Sequence, residues 1–100
     1  MTTRIEELEG KMLAVLEGEL DTAAAVEVNE AFAPLHEYKG GLIEVDCNKL
    51  EYIASSGLRI LLSMLKSAKA NGNRVVLLGV NPDIKNVFKM TGFINLFEFE

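Results

Sequence analysis

The sequence is poor in the residues from which metal sites, disulfides and catalytic triads are built. Among its 100 residues there is one cysteine, Cys47, one histidine, His36, and no tryptophan. A single cysteine excludes an intramolecular disulfide and a multi-cysteine zinc site, and a single histidine leaves no cluster for a metal. No phosphate-binding loop, dinucleotide-binding motif or nucleophile elbow is present. The sequence therefore predicts a protein that is not an enzyme and holds neither metal nor cofactor.

Long apolar runs and clusters of positive charge are also missing. No run approaches the ~20 apolar residues of a membrane-spanning helix, and Met1–Arg4 leads into charged residues instead of the apolar stretch of a signal peptide. Ten basic residues stand against 15 acidic ones, for a net charge of −5. Because attraction to phosphates supplies most non-specific affinity for nucleic acids, neither nucleic acid nor an anionic membrane is an expected partner. We expect a cytoplasmic protein.

What the sequence does contain is enough apolar residues for one core. The chain is 49% hydrophobic and 25% charged, which is the composition of one globular domain of ordinary size. We therefore expect residues 1–100 to form a single domain. Cys47 follows an apolar run and is interpreted as a small core residue. His36 is interpreted as a surface or helix-end residue.

Five segments predict β-strands because they are short, apolar and bounded by turn residues. They are the first ten residues as a weak edge strand, Lys11–Gly18, Leu42–Val45, Val75–Leu78 and Phe93–Phe99. Asp46 closes the third strand, and we expect a loop containing Asn48 to run from there to Ile53.

Helical spacing predicts three helices between these strands. They begin at Asp21-Thr22, near Ser55 and at Asn81, and the second continues to Ala70. Pro34 lies inside the first helix and is expected to kink or fray it. Strands that alternate with helices require crossover connections, which make parallel pairs. The predicted fold class is α/β: a mostly parallel mixed sheet with an antiparallel N-terminal hairpin, packed with helices.

The start of the second helix is the segment that suggests a function. Ser55, Ser56 and Gly57 lie where a loop turns into a helix. Free backbone N–H groups at a helix N-terminus, together with the helix dipole, favour a negative group such as phosphate. Serine is also an ordinary N-cap residue. The two serines therefore either cap the helix or have a phosphate-related role.

The same helix has an unusually wide apolar arc. Ile60 and Met64 extend its core stripe to about half of the circumference, wider than the stripe of a typical surface helix. Either these two residues pack against a neighbouring helix, or they form an exposed apolar patch beside the serines. An exposed patch marks a protein interface, which Arg59 and Lys66 would border.

Taken in order, several segments resemble the STAS domain family, and specifically the single-domain anti-sigma factor antagonists of bacteria. The segments are Leu16–Asp21, Ile43–Asp46, Ile53–Leu58, Val75–Leu78 and Asn81–Phe93. The resemblance implies a STAS-like fold and a protein that binds an anti-sigma factor and so releases a sigma factor. It implies that the anti-sigma factor is also a serine kinase of the histidine-kinase-like ATPase type. Phosphorylation by this kinase dissociates the complex, and a metal-dependent serine phosphatase resets the switch.

The family motif Asp-Ser-(Ser/Thr)-Gly-Leu implies that Ser55 is the phosphorylated residue, with Ser56 as the runner-up. The expected partner contacts are Asp46, Ser56 and Gly57 from the resemblance, and Arg59, Ile60 and Met64 from the apolar arc. The chain departs from the motif at Ala54, where the family has aspartate. This leaves open which serine is phosphorylated and whether the protein is a constitutive binder. The alternative function is a STAS subunit of a transporter or sensory complex, with the serines acting only as a helix cap.

Overall fold

The protein folds as a five-stranded sheet with its helices packed on one face. The computed structural model describes residues 1–100. The strands are β1 (Thr2–Leu8), β2 (Lys11–Leu20), β3 (Leu42–Ile53), β4 (Arg74–Leu78) and β5 (Glu98–Phe99), and the helices are α1 (Thr22–Ala31), α2 (Ala33–Glu37), α3 (Ser55–Ala70) and α4 (Pro82–Met90). The strand order is β1-β2-β3-β4-β5; the first pair is antiparallel and the others are parallel. The predicted α/β class and sheet type are confirmed.

The core lies between the helices and one face of the sheet. Side chains alternate between the two faces along a strand, and in β3 the residues Ile43, Val45 and Cys47 are buried beneath the helices. They belong to one cluster of 24 buried residues to which all four helices contribute. Burial, and then the neighbouring Asp46 carboxylate, raises the pKa of the Cys47 thiol to about 12. The interpretation of Cys47 as a small core residue is confirmed by its burial, and the raised pKa disfavours the thiolate, which is the reactive form.

The opposite face of the sheet carries no helix and is covered by charged side chains. Lys11 Nζ lies 2.7 Å from Glu44 Oε1 across β2 and β3, and Arg74 NH2 lies 2.9 Å from Glu98 Oε1 across β4 and β5. Beneath these long side chains Val76 is only 1% exposed. Exposed ion pairs contribute little to stability, but here their aliphatic stems shield apolar strand residues from water.

The third strand is longer than its apolar run predicts. The predicted strand ends at Val45 and is followed by a loop, whereas β3 continues to Ile53 and pairs with β2 up to the partners Leu20 and Ile53. The apolar run does not predict the rest of the strand, because polar residues interrupt the apolar pattern where the register between β2 and β3 shifts. Leu50 and Ile53 are nevertheless buried. Pairing with a long neighbouring strand thus overrides the weak local propensity.

Pro34 divides the first predicted helix in two. The helix α1 ends at Ala31, and the short α2 follows with Pro34 in its first turn, where the missing N–H group has no intrahelical partner to lose. Leu35 is still buried, so the apolar stripe continues across the break. The predicted N-cap Asp21 is confirmed: its Oδ1 accepts a hydrogen bond from Ala24 N at 2.8 Å.

The C-terminal strand is shorter than predicted. Of the segment Phe93–Phe99, only Glu98–Phe99 pairs with β4. The backbone N–H groups of Phe93 and Ile94 instead donate to Phe88 O. These bonds satisfy a carbonyl at the end of α4 and leave the residues after it in turns, so the chain rejoins the sheet only at its last residues.

Two asparagines form hydrogen bonds at or just beyond the ends of helices. Asn81 is the N-cap of α4, as predicted, and its Oδ1 accepts from Ile84 N at 2.8 Å. Asn73 is buried; its Oδ1 accepts from Gly41 N at 2.8 Å and its Nδ2 donates to Tyr38 O at 2.7 Å. Asn73 therefore ties the turn after α3 to the turn before β3, a role that its place after a helix does not reveal.

Candidate functional site

The start of α3 lies beside the start of α1, at the carboxyl ends of β2 and β3. Ala54 N donates to Leu20 O at 2.9 Å and joins the two strand ends. Next to this bond, Ser56 Oγ donates to Thr22 Oγ1 at 3.4 Å and joins the first turns of the two helices. The positive ends of two helix dipoles therefore meet. Binding sites in open α/β sheets commonly lie at this edge of the sheet.

Gly57 permits the close approach of α3 to the strand ends. A Cβ atom at this position would lie 2.7 Å from Leu20 Cγ and 3.0 Å from Ile53 Cγ1, which is too close for carbon atoms. The glycine is thus required by packing. Because Gly57 is buried, it shapes the site from beneath; its predicted contact with a partner stays a prediction.

Neither serine caps α3. The N-cap residue is Ala54, which makes no side-chain capping hydrogen bond, so Ser55 and Ser56 occupy the first two helical positions. The Ser55 side chain is exposed and forms no hydrogen bond within the protein. Ser56 is half-buried and holds Thr22. The interpretation of the serines as a helix cap is therefore wrong, because the helix begins one residue too early for either to act as one.

Replacing Ala54 by aspartate is expected to stabilise the protein by about 1 kcal/mol. Ala54 has the extended backbone of an N-cap residue, and an aspartate there would accept a hydrogen bond from the N–H of Ser56 or Gly57. Its negative charge would also interact favourably with the positive end of the helix dipole. Urea unfolding of the Ala54→Asp variant against the unsubstituted protein measures the change. Ala54→Leu is the control without an acceptor; if Ala54→Asp were no more stable than Ala54→Leu, the assignment of the cap would be contradicted.

A groove of about 420 Å³ runs from Ser56 along the contact between α1 and α3. Its apolar lining includes Val26, which is 63% exposed, and Ile60, which is half-buried. Arg59 is its only cation and Glu30 its only carboxylate. The structure combines the two predicted alternatives for Ile60: its side chain packs partly against the core cluster, and its exposed part contributes to an apolar surface beside the serines. We call this surface the α1–α3 groove.

Met64 does not belong to the α1–α3 groove. Its side chain is 0% exposed and is part of the core cluster. Successive helical positions are about 100° apart, so Met64 is turned by about 40° from Ile60. Because α3 packs against α1 and α2, this rotation is enough to place Met64 in the core. The prediction that Met64 contacts a partner is therefore wrong.

Asp46 lies away from the two serines. It is seven positions before Ile53 in β3, which corresponds to roughly 20 Å along an extended strand. Its side chain lies on the helix-free face, where Oδ1 accepts from Asn48 N at 3.0 Å and from Asn48 Nδ2 at 2.8 Å. Asp46 orders the irregular part of β3. The prediction that Asp46 closes the strand is wrong, because β3 continues to Ile53; the contact of Asp46 with a partner stays a prediction.

Other parts of this surface were not predicted from the sequence. Thr22 and Val26 line the groove from α1, and their only signal is that α1 has apolar residues on its outer face as well as its inner one. A second depression beside the start of α1 is lined by four carboxylates, from Glu19, Asp21, Glu27 and Glu51. The surface around the first turns of α1 and α3 is thus apolar along the groove and acidic beside it.

Other polar groups lie outside this site. His36 is near the end of α2, where its Nδ1 lies 2.6 Å from Ser67 Oγ in α3, which confirms its interpretation as a helix-end residue. No three histidine, cysteine, aspartate or glutamate side chains lie close enough together to hold a metal ion. None of the helices has the length and apolar character needed to cross a membrane.

Comparison with known sequences identifies relatives across the whole chain. Residues 2–100 match the STAS domain family. The BtrV protein of Bordetella bronchiseptica is 27% identical over 97 residues, which cover 97% of this chain and 84% of BtrV. The anti-sigma-B factor antagonist of Staphylococcus aureus is 30% identical over 79 residues, which cover 79% of this chain and 73% of the relative.

Solved structures share the fold at low sequence identity. An anti-sigma factor antagonist from Mycobacterium paratuberculosis matches 98% of this chain and 83% of its own with a TM-score of 0.81 and 24% identity. The Bacillus protein SpoIIAA in its phosphorylated form matches 99% and 91% with a TM-score of 0.75 and 21% identity. A sulfate transporter family protein from Wolinella succinogenes matches 90% and 76% with a TM-score of 0.76 and 17% identity. These likenesses show the fold alone.

Proposed function

The chain belongs to the STAS domain family, and on that basis we propose that it is an anti-sigma factor antagonist regulated by phosphorylation of Ser55. Proteins of this kind are regulatory binding proteins and not enzymes. The unphosphorylated chain, a single STAS domain in the cytoplasm, binds an anti-sigma factor and thereby releases a sigma factor. The anti-sigma factor is also a serine kinase of the histidine-kinase-like ATPase type. A serine phosphatase returns the phosphorylated chain to its binding form.

The position of the Ser55 hydroxyl carries this proposal. Ser55 is exposed at the first turn of α3, and its neighbour Ser56 lines the apolar α1–α3 groove. A kinase can reach Ser55 without unfolding any of the chain. Ser56 is less suited, because it is half-buried and already bonded to Thr22. The modification site and the apolar surface therefore adjoin one another, as a binding switch requires.

The chemistry of the switch is a simple phosphoryl transfer. The Ser55 oxygen forms a bond to the γ-phosphorus of ATP, the bond from that phosphorus to the bridging oxygen breaks, and ADP and the hydroxyl proton leave. The product carries an added charge of about −1.5 to −2. First-turn N–H groups tolerate an anion, so the fold remains intact. Within an interface the same charge would be desolvated and would weaken binding.

Replacing Ser55 by aspartate is expected to weaken partner binding by tenfold or more, because it places a fixed negative charge at the end of the groove. The experiment uses Ser55→Asp, Ser55→Ala and unsubstituted protein as baits for a native lysate, followed by titration of the captured protein. A histidine-kinase-like ATPase should be recovered with the unsubstituted protein and with Ser55→Ala, but not with Ser55→Asp. The charge-matched control is Asn95→Asp, at an exposed position after α4, which should bind normally.

A STAS subunit of a transporter or sensory assembly is the second candidate function. The observation that favours it is Ala54, which stands where the phosphorylated family motif has aspartate. In that case Ser55→Asp and the unsubstituted protein would recover the same partner in equal amounts, and the partner would be a membrane or scaffold component. This result would contradict regulation at Ser55.

A further inference from the structure

Arg59 lies one helical turn after Ser55 on the exposed side of α3. Residues at positions i and i+4 of a helix are neighbours, with about 5–6 Å between their Cβ atoms, and both of these side chains are exposed. Arg59 takes part in none of the four ion pairs of the protein and in no side-chain hydrogen bond. Its guanidinium group is therefore free, and it is the only cation that lines the α1–α3 groove.

The surroundings of Ser55 otherwise offer little to neutralise a phosphate. Beside the adjoining start of α1 the surface is acidic, with the carboxylates of Glu19, Asp21, Glu27 and Glu51. The first-turn N–H groups of α3 have no side-chain cap and are one source of positive potential. Arg59 is the only cation that lines the adjoining groove, and its planar guanidinium can donate two parallel hydrogen bonds to phosphate oxygens.

Building on the proposed regulation of Ser55, we infer that Arg59 is the internal partner of the phosphate and so determines how phosphorylation acts on the groove. In the unphosphorylated chain the Arg59 side chain is available to the binding partner. In the phosphorylated chain it pairs with the phosphate one turn away and is withdrawn from the groove. Phosphorylation thus changes this surface twice, because it adds a negative group at one end and removes the only cation that lines it.

Lys66 provides a matched control on the same helix. It is also an exposed cation without an ion pair, but it is eleven positions after Ser55, or about 16 Å along the helix axis. That distance exceeds the Debye length at physiological salt, which is about 8 Å. Removing the charge of Lys66 changes the net charge as much as removing that of Arg59, without affecting a phosphate on Ser55.

The test is a phosphorus NMR titration of the full chain carrying phosphoserine at position 55, introduced during translation. An adjacent opposite charge stabilises the dianion, so the second pKa of the phosphate should be lower with Arg59 present than in Arg59→Gln, by about 0.5 or more. The Lys66→Gln variant should titrate like the unsubstituted protein. The difference should shrink in 1 M salt, where charges are strongly screened. Equal pKa values with and without Arg59 would overturn the pairing.

Binding measurements separate this inference from the proposed function. If Arg59 contacts the partner in the unphosphorylated chain and pairs with the phosphate in the phosphorylated one, Arg59→Gln weakens the unphosphorylated complex by about tenfold, as loss of an interfacial charge can. Phosphorylation then weakens the Arg59→Gln complex by a smaller factor than the unsubstituted one. The titration itself needs no partner. If the titration shows no pairing while Ser55→Asp still releases the partner, only the role of Arg59 is contradicted. If the titration shows pairing but Ser55→Asp does not release the partner, the proposed function is contradicted and the pairing stands.

Discussion

Met64→Glu is expected to unfold the protein, whereas Ile60→Glu, one turn earlier on the same helix, is expected to leave it folded and to abolish partner binding. Met64 is fully buried in the core cluster. The substitution removes its apolar contacts and places a carboxyl group in their stead, at a cost of about 5 kcal/mol. This is comparable to the whole stability of a small domain. Ile60 borders the α1–α3 groove and is half-buried, so its substitution should cost about 1 kcal/mol.

Thermal unfolding followed by circular dichroism, together with partner capture, distinguishes the two positions. Met64→Leu is the control for the core position, because it conserves volume and should cost less than about 1.5 kcal/mol. A cooperative transition of Met64→Glu near that of the unsubstituted protein would contradict the burial of Met64. If Ile60→Glu were folded and captured the partner normally, the groove would be excluded as the binding surface.

Gly57→Val is expected to destabilise the protein by about 3 kcal/mol, the upper part of the range for overpacked sites. Its Cβ atom alone would lie 2.7 Å from Leu20 Cγ and 3.0 Å from Ile53 Cγ1, and valine adds two methyl groups to that atom. Both neighbours are buried, and close-packed cores accommodate added atoms poorly. The first turn of α3 must therefore move away from the strand ends, and the bond between Ser56 and Thr22 should be lost.

Urea unfolding and amide chemical shifts measure this effect. Ser56→Val is the matched control, because it introduces the same side chain at the preceding position, which is half-buried beside the groove; it should cost about 1 kcal/mol or less. In Gly57→Val, the amide shifts of the first turns of α1 and α3 should change together, since the two turns are in contact. Equal stabilities of the two variants would show that Gly57 is not needed for close packing.

The first turn of α3 has an exposed side that belongs to the candidate site and a buried side that belongs to the core. Ser55 and Arg59 face solvent, while Gly57 and Leu58 between them are buried. The first turn of α3 is thus held by packing on its buried side, while its exposed side makes no contact with the rest of the protein core. A charge added to Ser55 therefore changes the surface that a partner meets and leaves the packing unchanged, which is why a phosphorylated chain can keep its fold.

Local signals in the sequence were sufficient for most element boundaries. The second strand begins at Lys11 as predicted, after a turn at Glu9-Gly10, and Asp21 and Asn81 cap their helices. These features depend on a few neighbouring residues: the positive φ at Gly10 favours glycine, and a cap needs a side-chain oxygen three residues before an amide. The alternation of such strands and helices was enough to predict a mostly parallel sheet.

Part of the candidate site was also predicted from the sequence. Ser55 and Ile60 were placed together from their spacing on one helix, and the exposure of Ser55 and the half-exposure of Ile60 agree with that surface. The other wall of the groove, with Thr22 and Val26, was not predicted. Nothing in the sequence of α1 shows which of its apolar residues remains uncovered.

Two features were decided only by the tertiary structure. Helical periodicity gives the angle between Ile60 and Met64, but only the packing of α3 against its neighbours decides that Met64 is fully buried and Ile60 half-buried. The length of β3, and with it the distance of Asp46 from Ser55, depends on pairing with β2, whose residues are distant in sequence. In each case the deciding contact is non-local, so the sequence by itself determined the elements and their order, while packing and strand pairing determined which side chains share a surface.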